Sequence, residues 1–226
     1  MSATLHLTHG GDHDVRPIHG HAAGAAGAAG TDARLTKVAA AFRGFLESLD
    51  LDLDDPNLVG TDLRVARAYQ EMFAGLAHDA EPKLSTFPNA EGYKETVSVT
   101  GIPFYSLCAH HFLPFFGTAH VGYMPGERLL GLSKLARVVE FYARRPQLQE
   151  RMTQQIATFL DERVAPAGVI VVVEARHMCM EMRGVSIPGA STTTSAVFGT
   201  FNDETLRSRF LAGLHGAGVA PRAREV

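Results

Sequence analysis

VSVTGIPFYSLCAHHFLPFFGTAHVGY, residues 97–123, reads as two strands joined by a turn. Val97 and Val99 alternate against Ser98 and Thr100, and Ala119, Val121 and Tyr123 alternate against His120 and Gly122. That two-residue period belongs to a sheet with one buried face. Strand texture returns in GVIVVVEA at 168–175 and in STTTSAVFGT at 191–200. Between the two strand pairs the period changes to that of two helices. Ser133 is expected to cap the first, with Leu135, Val138, Val139 and Tyr142 inward; Pro146 opens the second, with Leu148, Met152, Ile156, Phe159 and Leu160 inward. A hairpin, a helical pair and a second hairpin predict an α+β fold: a mainly antiparallel sheet with the helices on one face. Such a sheet has two open edges, and pairing edge to edge with further copies would satisfy them, so a homo-oligomer is expected.

Upstream, Leu35, Val38, Phe42, Phe45, Leu46 and Leu49 fall on one helical face. A second helix is expected over 61–77, capped by Thr61, with Val65, Tyr69, Met72, Phe73 and Leu76 buried and Arg64 and Arg67 on the other side. Residues 1–33 hold five histidines (His6, His9, His13, His19 and His21) among Gly, Ala and Thr. With so few large apolar side chains to offset the entropy of ordering, this stretch is expected to be a disordered extension. A catalytic domain would then cover 34–214, closed by a short helix at 203–213, with 215–226 as a tail. No internal repeat is present.

The chain has 226 residues, 46% of them apolar, and a formal net charge of −3. That is enough for one substantial core. The mixed charges give no polybasic footprint for nucleic acid or for an anionic membrane. Two cysteines are too few for a secreted disulfide framework, no run reaches the ~18 apolar residues of a membrane helix, and no secretory signal opens the chain. A soluble cytoplasmic protein is the expectation.

Two stretches carry chemistry. SLCAHHFLPF at 106–115 and ARHMCMEMRG at 175–184 each present a thiol and imidazoles. Cys108 and His111 are spaced to grip one ion at the turn leaving a strand, with Cys179 as a third ligand from the other hairpin; Zn²⁺ favours such a sulfur and nitrogen set, and a fourth position left to water makes a hydrolytic site. The plainer alternative is a pair of buried thiols beside unrelated histidines. His110 and His111, adjacent in an extended segment, are expected to point in opposite directions and do different jobs. His177, on the strand before Cys179, is expected on the same side as that thiol, either as an acid or base or as a hydrogen-bonded core histidine. Ser133, Lys134 and Arg137 form SKxxR at a helix start, a favourable place for an anion, and Arg183 adds a further cation. Singly these are surface charges; together, with Arg64 and Arg67 as further members, they make a polyphosphate clamp. Gln149 and Glu150 either read a purine edge or face water on a helix.

These stretches, in this order and spacing, resemble the GTP cyclohydrolase I family over about residues 35–214: SLCAHHFLPFFGTAHVGYMP, GLSKLARVVEFYARRPQLQERMTQQIA and EARHMCMEMRG followed by STTTSA. The resemblance implies a tunnelling fold with a four-stranded antiparallel sheet whose copies associate into a barrel. It implies a homodecamer, a dimer of pentamers, with interfacial active sites. It further implies conversion of GTP and water to 7,8-dihydroneopterin triphosphate and formate, the first step of tetrahydrofolate and pterin biosynthesis. Cys108, His111 and Cys179 would hold zinc, which activates water for hydrolysis at C8. His110 and His177 would transfer protons, and Ser133 would assist the ribose rearrangement. Lys134, Arg137 and Arg183, with Arg64 and Arg67, would hold the triphosphate, while Gln149 and Glu150 would anchor the substrate, Glu150 at the guanine edge. Two positions depart from the family's usual residues: Ala109 stands where Glu is usual and Asp62 where Pro is usual. A carboxylate missing beside the site leaves two other readings: a paralogue that stops at a ring-opened intermediate or serves a deazapurine pathway, and a non-catalytic nucleotide-binding scaffold.

Overall fold

The computed structural model describes residues 25–77 and 79–216. In chain order they form α1 (Ala25–Glu47), α2 (Thr61–Met72), β1 (Thr86–Pro88), β2 (Val97–Cys108), β3 (Pro114–Met124), β4 (Arg128–Leu130), α3 (Leu132–Ala143), β5 (Pro146–Gln147), α4 (Gln149–Val164), β6 (Gly168–His177), α5 (Met178–Glu181), β7 (Ser191–Gly199) and α6 (Glu204–Gly216). The chain divides into one unit ending at Ala66 and another beginning at Arg67. Of the extension expected at 1–33, residues 25–33 belong to helix α1 and the rest lie outside the described residues; of the tail expected at 215–226, residues 215 and 216 end α6 and the rest lie outside them. Helix α1 starts at Ala25, ahead of the apolar periodicity at Leu35, because alanine has the highest helix propensity and needs no buried face to favour the helical state.

In the second unit the sheet order is β5-β2-β3-β6-β7. The four long strands pair antiparallel, as expected. The fifth strand was not expected: Pro146 does not open a helix but starts a two-residue strand parallel to the end of β2. Proline pushes the residue before it out of the helical region, and α4 begins only at Gln149. Val169, Val171, Val173 and Ala175 of β6 join Phe115, Ala119 and Val121 of β3 in a core with α3 and α4. The other face of β6, Ile170 and Val172, packs with Phe201 and is covered by Leu206 and Phe210 of α6. The helices therefore do not all lie on one face as expected. A strand buried on both sides needs a continuous apolar run rather than an alternating one, which is what GVIVVV supplies.

Three local expectations are corrected. Gly131, not Ser133, is the N-cap of α3, so Ser133 is a helical residue of the first turn. Helix α2 stops at Met72 and a 3₁₀ turn follows at Ala74–Leu76, where buried Gly75 packs so closely on the Phe141 and Arg144 carbonyls that no side chain fits. The apolar stripes expected at 35–49 and 65–76 are only partly buried: Leu46 is buried, while Val38, Phe45, Leu49, Met72 and Leu76 are exposed.

The ends of α3 fix where function sits. Its start follows Leu130, whose N–H donates to the Tyr123 hydroxyl at 2.9 Å, and Tyr123 is paired with Val97 at the beginning of β2. Its end leads to Arg145, whose carbonyl accepts from Ser106 Oγ at 3.2 Å, and to Pro146, paired with Leu107. Helix α3, about 18 Å long at 1.5 Å per residue, thus runs along the sheet from near one end toward the other.

Candidate metal centre and active site

The centre lies where β2, β3 and β6 end together. Strand β2 finishes at Cys108, and the chain turns back through hydrogen bonds from Phe112 N–H to Cys108 O at 2.8 Å and from Cys108 N–H to Leu113 O at 2.9 Å. Phe112 takes a left-handed conformation (φ 54°) to close the turn, an unfavourable one for an aromatic residue. Its ring packs edge-on against Phe73. The Ala109 N–H donates to Gln147 O at 2.9 Å, so β5 pins the turn from the other side. His110 and His111 sit in this turn rather than in extended chain, and their rings meet edge to face with centroids 6.2 Å apart. The alternation expected of them does not apply.

Cys179 also departs from expectation. Strand β6 ends at His177, and Cys179 lies in the single helical turn α5, so the same-side argument from strand period fails. The turn nevertheless brings its sulfur to the other ligands. The ligand atoms of Cys108, His111 and Cys179 lie within 4.8 Å of one another. Both cysteines are free thiols. A tetrahedral ion with bonds of about 2.0–2.3 Å holds its ligands just under 4 Å apart, so the three residues fit one ion with little movement. Burial, then the facing Cys108 thiol, raises the Cys179 thiol above its ordinary range.

Two contacts hold His177. Its ring stacks on Phe115 with centroids 4.7 Å apart and planes 3° from parallel. Its Nε2 meets Gln149 Oε1 at 2.7 Å. Gln149 is buried, and its Nε2 donates to Val173 O at 3.0 Å, Thr192 O at 2.9 Å and Thr194 Oγ1 at 3.2 Å. Because two carbonyls face the amide nitrogen, the amide oxygen must face the histidine, which then donates from Nε2 and keeps Nδ1 as its acceptor. Burial lowers the His177 pKa, opposed in part by Glu150. Burial therefore favours the neutral ring, and the hydrogen bond fixes its tautomer. Gln149, expected as a substrate anchor, has its amide hydrogen-bonded within the chain and is placed to orient His177.

The cationic clamp is divided. Arg183 lies close enough to Cys179 to favour its thiolate. Ser133 and Lys134 occupy the first turn of α3, at the opposite end of the sheet, and Arg137 lines a groove of ≈ 540 Å³ with Tyr105, Glu71 and Glu140. From Tyr123 to Phe115 along β3 is about 26 Å at ~3.3 Å per residue, so one chain does not bring Lys134 to Arg183. Arg64 belongs to the first unit, where it donates to Val59 O, Asn57 O and Thr61 Oγ1 and braces the loop before its own helix. Arg67 opens the second unit on the exposed side of α2.

Sequence reading missed three groups. Arg176 and Glu181 form a bidentate ion pair beside Cys179. His120 accepts the Gly101 N–H at 3.2 Å where the β2–β3 register slips and Gly101 takes φ 69°. The glycine within a strand was the available signal for that slip.

An α+β subunit with a thiol–imidazole–thiol ion site at a sheet end, and a neutral histidine next to it, has the makings of a metal-using enzyme. The sequence profile of GTP cyclohydrolase I matches residues 38–215. GTP cyclohydrolase 1 of Halalkalibacterium halodurans is 54% identical over 173 residues, covering 76% of this chain and 92% of that protein. The enzyme of the same name from Clostridioides difficile is 51% identical, covering 74% and 89%, and that of Mycobacterium tuberculosis is 54% identical, covering 72% and 81%. The chain belongs to the GTP cyclohydrolase I family. No helix among the described residues is long and apolar enough to cross a membrane.

Proposed function

We infer that the protein is a GTP cyclohydrolase I that opens the imidazole ring of GTP at C8, releases formate and rebuilds the product as 7,8-dihydroneopterin triphosphate. The observation that carries the reading is the convergence of Cys108, His111 and Cys179 beside an oriented, neutral His177. We assign zinc to the three ligands, since two sulfurs and one nitrogen suit it best. Held there, zinc supplies Lewis acidity and an activated water for the two hydrolytic steps. The remaining work is proton transfer and positioning by the chain. His177, through Nδ1, takes and returns protons on the ribose side, and His110, exposed at the turn, donates to N7 of the purine. Glu150, next to His177, reads the guanine edge, and Arg183 meets phosphate.

Ser133 and Lys134 complete the site only from another copy of the chain, because their own metal centre lies toward the far end of the sheet, and Arg137, one helical turn on from Ser133, joins them in holding phosphate. Open backbone along β7 and along β2 before Leu107, together with the exposed stripe on α1, supports association of several copies. We assign this to a decamer of two pentamers in the cytoplasm, with Arg64 and Arg67 as further phosphate contacts in the assembly.

Incubating the purified protein with GTP and zinc should yield formate and, after oxidation, neopterin fluorescence; absence of both from a zinc-loaded oligomer rejects the activity. Mass spectrometry separates the full product from a ring-opened intermediate, the outcome that the missing carboxylate at Ala109 would favour. The shared site has its own test. Lys134→Ala and Cys179→Ser subunits, each inactive alone, should regain part of the activity when co-assembled, and no recovery in verified mixed oligomers overturns the interfacial reading.

A further inference from the structure

Helix α5 is a single turn, too short to hold its own shape without tertiary anchors, yet it carries the third ion ligand, and the loop after it carries Arg183. Its inner side presents Cys179 to Cys108. Its outer side sends Glu181 to the opposite face of the sheet. There the carboxylate accepts Arg176 Nε at 2.8 Å and Nη2 at 2.5 Å, a two-pronged contact. The Glu181 side chain is only 7% exposed, against 48% for Arg176. Arg176 is itself set in a row across the strands: its guanidinium lies over the Phe116 ring at 5.8 Å, and Phe116 stacks on Tyr105 at 5.9 Å. Register explains the row, since Tyr105, Phe116 and Arg176 are direct neighbours on β2, β3 and β6. Glu181 also accepts a backbone hydrogen bond from Gly189, and Ile187 N–H donates to Met180 O at 3.1 Å, which folds the 182–189 loop back onto α5.

We propose that the Arg176–Glu181 pair is a positioning strut that presets both Cys179 for the ion and Arg183 for phosphate. The inference rests on the metal-centre reading above and deepens it. Cys108 is buried within the core, whereas Cys179 is partly exposed and packs against the core's edge from a single turn that the strut and the folded-back loop tie to the sheet. Neither residue of the pair belongs to the ion-ligand cluster. A fixed ligand loses less freedom on binding than a mobile one, so a strut outside the ligand set shows itself in ion affinity.

The test compares the unmodified protein, Glu181→Gln, and the charge swap Arg176→Glu/Glu181→Arg, each stripped of metal and titrated with Zn²⁺ against a chromophoric chelator. The unmodified protein should bind one ion per subunit. Glu181→Gln keeps the shape, loses the charge and should bind the ion about 10–100-fold more weakly. Amides 179–189 should exchange with solvent faster while those of β6 stay protected, and at saturating zinc the KM for GTP should rise with kcat retained. The swap should recover at least part of the lost affinity. Equal affinity and equal exchange in Glu181→Gln and the unmodified protein would overturn the strut and leave the metal centre standing. Failure of the unmodified protein to bind an ion would overturn the metal centre and the strut with it.

Discussion

Gln149→Met tests the claim that Gln149 orients His177 and does not bind substrate. Methionine matches glutamine in length and flexibility, so packing at this buried position is largely kept while the amide is removed. Val173 O, Thr192 O and the His177 ring N–H then lose a partner at 2.7–3.0 Å, and Thr194 Oγ1 keeps only its 2.6 Å contact with Thr153 Oγ1. At about 1 kcal/mol for each net hydrogen bond, and up to ~3 kcal/mol for a group left buried and unpaired, the expected loss is about 2–4 kcal/mol. For a chain of this size that is a fall in Tm of roughly 4–16 °C, read by calorimetry at fixed protein and zinc concentration. The kinetic signature is more specific. Once freed, the ring samples both tautomers and rotates off Phe115, so kcat should fall about 10–100-fold, a part of the ~10²–10⁴ that general acid–base catalysis contributes. KM for GTP should stay the same. A raised KM with kcat intact would show that the amide holds substrate, and the argument from its committed hydrogen bonds would be refuted.

Other outcomes follow from the same geometry. His110→Ala should abolish turnover while leaving zinc and GTP binding near normal, by equilibrium titration; retained turnover removes His110 from the proton transfers. Cys179→Ser should weaken zinc binding by more than ~100-fold, beyond the effect of an outer contact, and chelator should silence the parent enzyme until zinc is restored. The His177 pKa lies below the ordinary ~6.5, so its neutral base form persists to lower pH than in a free histidine. Since the folded value is the lower one, its contribution to stability is present above ~6.5 and lost as pH falls through the folded value. Glu150→Gln removes the group that opposes burial and should lower the His177 pKa further, measured by NMR; an upward shift contradicts the assignment of causes.

The two hairpins were legible because alternation over several residues leaves few other readings, and the candidate ion site because the chain's two cysteines each lie within two or three residues of a histidine. Local backbone detail was not legible. Nothing at Pro146–Gln147 marks a two-residue strand, and a period-two argument carried past His177 placed Cys179 on a strand that had already ended. The amide of Gln149 looks the same in sequence whether it meets a purine or two carbonyls.

By itself the sequence determined the α+β order of elements, the three residues that converge as a candidate ion site and the family, since these depend on residue type and spacing along the chain. Only the tertiary structure put the Gln149 amide against His177, brought Glu181 to Arg176, and set Lys134 and Arg183 toward opposite ends of one subunit. Those outcomes depend on which faces meet across the sheet and on how far a helix and a strand carry the chain, distances that no local pattern encodes.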